Sequence, residues 1–193
     1  ILTELGIPHI YYQISTDEEI SSYLSEERKE WIEGVDEAVV NSELFTSEKI
    51  SLVTFEEFQI FCSHYGMNPY SEAEKIDREF YLKMQIADYI LNNNDRHEQN
   101  WGFLMENETG KLTGFCPLFD HDHAFVSYTD VMSQTSEMQM TLRDAAISAQ
   151  KELGLNLDKL DAMDRPQLLS DAQWDAVLER KRQLLEKSQD FRK

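Results

Sequence analysis

Asn94-Asp95-Arg96-His97-Glu98-Gln99-Asn100, followed further on by Pro117-Leu118-Phe119-Asp120, is the part of the chain whose reading decides the fold. The first stretch begins where the strongest amphipathic pattern stops. From about Ser71 to Leu91 the residues Ile76, Phe80, Met84, Ala87 and Ile90 recur at three- and four-residue intervals, which predicts one helix with a buried stripe. Asn92-Asn93-Asn94 ends it, since asparagine tolerates left-handed and turn conformations. Between the two stretches, Trp101-Gly102-Phe103-Leu104 and Leu112-Thr113-Gly114-Phe115 flank a polar turn and predict a β-hairpin. Helix, irregular loop, hairpin and a further carboxylate thus follow one another within about fifty residues.

That order suits a particular chemistry. Phosphoryl transfer to a hydroxyl requires a carboxylate that orients the nucleophile and takes its proton, and oxygen ligands that hold magnesium against the phosphates. Asp95 and Asn100 on one loop can converge on one point, while Asp120 arrives from the far strand of the hairpin to complete the clamp. Arg96 and His97 place donors or positive charge where negative charge moves. Each also has a plainer role: Arg96 as a neutraliser of nearby carboxylates, His97 as a structural residue at a helix end.

Asp95-Arg96-His97-x-x-Asn100 with Pro117-Leu118-Phe119-Asp120 resembles the catalytic loop and metal-binding aspartate of HipA-like serine/threonine kinases. The loop alone is also similar to that of phosphoinositide kinases. The resemblance implies an α+β, protein-kinase-like fold with a mainly helical C-terminal lobe that carries the hairpin. It implies Asp95 as catalytic base, Asn100 and Asp120 as Mg2+ ligands, and ATP as phosphate donor. It further implies a protein substrate, a regulator of the antitoxin kind and a place in toxin–antitoxin modules. The likeness is clear from about Lys75 to Phe125. Upstream it is fainter: Glu43-Leu44-Phe45, at the end of the strand candidate Ala38 to Phe45, resembles the linker between lobes that presents backbone groups to adenine, and Leu44 and Phe45 could equally be ordinary core.

On this reading residues 1–50 are the end of an N-terminal lobe with its linker, and residues 51–193 are the helical lobe. Ile7 to Ile14, β-branched and aromatic, predicts a strand entered after a helix that ends at Leu5-Gly6. Ser15 to Glu33 predicts an acidic surface helix with Ile20, Tyr23, Leu24 and Trp31 on its inner face. Thr54-Phe55-Glu56-Glu57 predicts a capped helix start. About Gln139 to Leu153 and Asp171 to Ser188 predict two further helices, separated by Pro166, with Trp174, Leu178 and Leu184 as core. No phosphate-covering loop or phosphate-steadying lysine precedes Glu43, and the chain opens on Ile1; the expectation is that those parts lie upstream or are absent.

Composition narrows the partners. The sequence is 41% hydrophobic, adequate for a packed core, and its 37 acidic against 18 basic residues give a net charge of −19. Such a field repels nucleic-acid backbones and anionic lipid, and favours a basic protein as substrate or partner. Two cysteines, Cys62 and Cys116, lack metal-ligand spacing and predict reduced thiols in a cytoplasmic protein. Two rival readings remain: a pseudokinase or partner-binding module of the same fold, and a metal-dependent phosphohydrolase using His121 and His123, which alternation in a strand would set on one face.

Overall fold

A computed structural model describes residues 1–16, 18, 19, 22, 40–125 and 136–189, with backbone only over 136–140. It divides into two compact units, Ile1–His9 with Thr46–Lys193, and Ile10–Phe45. In the smaller unit, β1 (Tyr12–Ile14) pairs antiparallel with β2 (Val40–Ser42). The predicted strand from Ile7 to Ile14 is therefore shorter than expected. Ile7 is buried in the larger unit, and Pro8, which has no N–H to give a ladder, lies between. The expected acidic helix from Ser15 to Glu33, and Ala38 and Val39, fall largely outside the described residues.

The larger unit opens with α1 (Leu2–Leu5), closed by Gly6 in the left-handed conformation, as Leu5-Gly6 predicts. Its sheet has three antiparallel strands in the order β3 (Ile50–Thr54), β4 (Gly102–Glu106), β5 (Lys111–Phe115). The β4–β5 hairpin is the expected one; β3 adds a strand that local pattern does not announce. Gly102 faces Thr54 in the β3–β4 register. A Cβ there would stand 2.1 Å from the Val53 carbonyl oxygen, so only glycine lets the two backbones approach as they do.

Thr54 then starts α2 (Phe55–His64) with a reciprocal capping box: the Glu57 N–H donates to Thr54 Oγ1 at 3.2 Å, and the Thr54 N–H to Glu57 Oε2 at 2.9 Å. The single helix expected from Ser71 to Leu91 is two, α3 (Pro69–Ile76) and α4 (Arg78–Leu91). Asp77 breaks the run. It is extended, φ −157° and ψ 92°, and its carboxylate accepts from the Phe80 N–H at 2.9 Å, so the chain gains a fresh N-cap in mid-pattern. α4 ends as expected at Asn92, left-handed at φ 53°.

Burial on α4 exceeds one stripe. Leu82, Ile86, Tyr89 and Leu91 join Phe80, Met84, Ala87 and Ile90 inside, making α4 the central helix of the unit. Against it pack α5 (Ser136–Leu153) and α6 (Asp171–Gln189), joined through a 3-10 turn at Leu157–Ala162. Trp174 and Leu184 are core, with Leu178 packed on its edge. Where the sheet meets the helices the core is aromatic: Phe55 stacks on Trp101 at 3.9 Å and Phe80 on Phe115 at 4.9 Å. Cys62 and Cys116 are buried free thiols.

Candidate active site

The last turn of α4 carries an acidic residue in an apolar run, Ile86-Ala87-Asp88-Tyr89-Ile90, and a carboxylate buried there needs a partner. Arg96 is that partner. Its Nη2 donates to Asp88 Oδ1 at 2.9 Å and its Nε reaches both carboxylate oxygens, while the Asn93 amide donates to Oδ1 at 3.2 Å. Burial pushes the Asp88 carboxyl up, opposed by the Arg96 guanidinium and the Asn93 amide. The remaining guanidinium nitrogen, Nη1, donates to the carbonyl of Asn100 at 2.8 Å and to that of Phe119 at 2.7 Å. One side chain therefore ties the central helix, the end of the loop and the residue before Asp120.

The loop's other ties complete its shape. The Asn100 side chain, 4% exposed with its backbone, donates Nδ2 to the Asp95 carbonyl at 2.9 Å, a bond that does not use its amide oxygen. The His97 N–H donates to the Asp95 carbonyl and the Asn100 N–H to the His97 carbonyl, both at 2.9 Å; His97 Nδ1 accepts from the Gln99 N–H at 3.2 Å. The imidazole is held at the exposed side of the loop.

The segment bearing Asp120 is pinned from both ends. The Cys116 N–H donates to Gly102, the Leu118 N–H to Pro8 and the Phe125 N–H to Leu91. Leu118 itself forms a parallel bridge with His9. Asp120 sits at φ 54°, a left-handed conformation uncommon for a non-glycine residue, though one that aspartate adopts more readily than most. Burial raises its carboxyl above the ordinary range, and the neighbouring carboxylates of Asp122 and Asp95 raise it further, against a lowering by His97. Asp95, Asp122 and His123 each offer a ligand atom within 4.8 Å of the others. Asp95, Asp120 and His97 are thus brought into one electrostatic neighbourhood, with Asn100 tied to Asp95 through the loop. Glu43, Leu44 and Phe45 belong to the smaller unit; Leu44 is 80% exposed, which excludes it from any core.

Sequence reasoning missed Asp88, whose signal was a lone charge in a buried run, and treated Asp122 and His123 only as parts of a rival motif. The strand that would align His121 with His123 is absent: residues 119–123 are loop and turn. The two rings separate. His123 is exposed beside Asp95 and Asp122, whereas His121 turns inward, its Nε2 buried without a partner among the described residues. Burial, with Arg96 and His9 near by, pushes the His121 imidazole down to about 4.

The donor set fits a hard divalent cation. Asp95, Asp122 and His123 can each offer it one atom, and the carboxylates of Asp122 and Asp95 crowd Asp120 with a repulsion that a cation relieves.

No protein-family profile and no curated protein matches the chain. Among solved structures it is similar to a proinflammatory kinase, CtkA, of Helicobacter pylori, at a TM-score of 0.50 and 16% identity, over 97% of this chain and 80% of that one. The fold is kinase-like: mixed helix and sheet, mainly helical, with small antiparallel sheets.

Proposed function

We propose that the protein is an ATP- and Mg2+-dependent phosphotransferase of the HipA-like serine/threonine kinase kind. The observation that carries this reading is the Arg96 clamp, which joins the loop of Asp95 and Asn100 to the residue preceding Asp120. The described kinase activity of the Helicobacter pylori neighbour supports it at the level of the fold. In the reaction, Asp95 accepts the proton of a serine or threonine hydroxyl as that oxygen bonds to the γ-phosphorus. The bond from the γ-phosphorus to the bridging oxygen breaks, and ADP leaves. Asn100 and Asp120 would hold Mg2+, which supplies charge neutralisation at the β- and γ-phosphates. His97, on the exposed side of the loop, steadies the migrating group. Arg96 is a positioning residue, because its guanidinium is spent on Asp88 and two carbonyls.

Residues 1–50 comprise the end of an N-terminal lobe with its linker, in which Glu43 to Phe45 meet adenine, and residues 51–193 the helical lobe. The resemblance adds a cytoplasmic setting and an antitoxin-type regulator; the net charge of −19 supports a basic protein substrate. No helix among the described residues is long and apolar enough to cross a membrane.

The test is Mg2+-dependent transfer of labelled phosphate from ATP. Asp120→Ala should abolish it, and full activity in that variant sinks the assignment. Tight nucleotide binding without transfer in the wild type would favour the pseudokinase reading.

A further inference from the structure

On the inner side of the catalytic loop lies a cavity of about 510 Å3, wholly within the larger unit. Tyr70, 46% exposed, and the half-buried Tyr81 offer it aromatic faces, with Met84 of α4 and Leu142 of α5 beside them and the stacked pair Phe55 and Trp101 buried behind. Its charged lining residues are Asp88, Arg96 and Glu98. Asp88 and Arg96 neutralise one another at 2.9 Å, so the net charge presented to the cavity is that of Glu98. The Glu98 carboxylate is exposed and makes no hydrogen bond or ion pair among the described residues. Its backbone is nevertheless held, with the Glu98 carbonyl accepting from the Glu56 N–H at 3.1 Å. An unspent carboxylate on an anchored backbone, at a cavity lined by Tyr70 and Tyr81, is the inverse of an arginine side chain: an apolar stem, a planar cationic head that stacks on aromatic faces, and donors for the carboxylate. Anionic groups gain neither contribution, and the net charge of −19 repels them; the Asn94 amide donor in the lining, which has no partner among the described residues, suits a peptide carbonyl instead.

We propose that this cavity seats an arginine side chain of a basic peptide acceptor, with its guanidinium at Glu98. The placement gives the pocket a purpose in the reaction. Asn94 and Arg96, which line it, bracket Asp95 in the chain, so a peptide anchored here passes within a few residues of the proposed proton acceptor. The word acceptor rests on the kinase reading above; the selectivity for arginine does not.

The experiment is calorimetry on the full chain with a set of serine peptides in which one arginine is walked along the sequence, each compared with its citrulline counterpart, which keeps the shape and removes the charge. The best arginine peptide should bind about tenfold tighter than its citrulline form. In Glu98→Gln that ratio should fall to near one, and Ala145→Phe, which fills the cavity, should weaken both peptides. Equal affinity for the two forms, a ratio that survives Glu98→Gln, or no peptide binding at all overturns the proposal. Arginine-selective binding with no phosphate appearing on the serine overturns the kinase reading and leaves the docking site standing.

Discussion

Asp95 and Arg96 are neighbours in the chain and belong to two different regions of the molecule. Arg96 points into a buried frame in which each charge has its counter-charge and the loop carbonyls have donors. Asp95 faces a mouth where Asp120, Asp122 and His123 crowd together and Asp120 is held away from its ordinary acidity. In the frame the ion pair and its hydrogen bonds oppose the cost of burying charge; in the mouth like charges stand together. A loop that reads as one motif therefore carries two devices on adjacent residues, one closed on its own partners and one crowded with like charges.

The sharpest way to break this contrast is on the frame. Arg96→Ala leaves Asp88 buried and uncompensated and should lower the unfolding free energy by about 3–5 kcal/mol, read by urea denaturation. A loss below about 1 kcal/mol would mean the clamp carries little. Asp95→Asn, one residue away, should leave the denaturation midpoint nearly unchanged while lowering phosphate transfer about 10²–10⁴-fold. Equal effects on stability from the two variants would collapse the distinction.

His121 tests the boundary between the regions. Its imidazole is depressed to about 4 in the folded chain, from about 6.5 when unfolded, so folding favours the neutral ring. The associated stability is complete above pH 6.5 and is lost as pH falls through the window down to about 4. Allowing for partial exposure, the loss amounts to about 2 kcal/mol. It should appear as the difference between wild type and His121→Asn across that window, which cancels the opposite drift from Asp120. The smallest effect belongs to the mouth. Asp122→Asn removes one of the crowded carboxylates and should raise the melting temperature of the metal-free chain by about 1–3 °C, while reducing the stabilisation that added Mg2+ provides. A lower melting temperature would contradict the repulsion.

Much of the frame's local chemistry was legible. The Thr54–Glu57 cap, the left-handed stop at Asn92 and the hairpin all follow from residues within a few positions of one another. What escaped involves distant partners. β3 is specified by its pairing with β4, some fifty residues on, and Ile50-Ser51-Leu52-Val53 alone looks like the approach to a helix. The break at Asp77 was hidden because the apolar spacing runs on through it while a cap forms. For the site, the loop residues could be picked out, but not the direction of Arg96 nor the partition of His121 from His123, since both depend on Asp88 and on the N-terminal residues Pro8 and His9 lying alongside.

The Arg96 bond from Asn100 to Phe119 spans the open base of the β4–β5 hairpin, so the distance between loop and Asp120 is set without reference to the hairpin's tip. Glu108 and Thr109 at that tip are exposed, beyond the anchoring of Asn107 to Lys49 and Glu48. A fluorescent protein or affinity tag spliced between them would ride on the protein as an external label, reporting on its whereabouts and partners while the geometry underneath stays as it is.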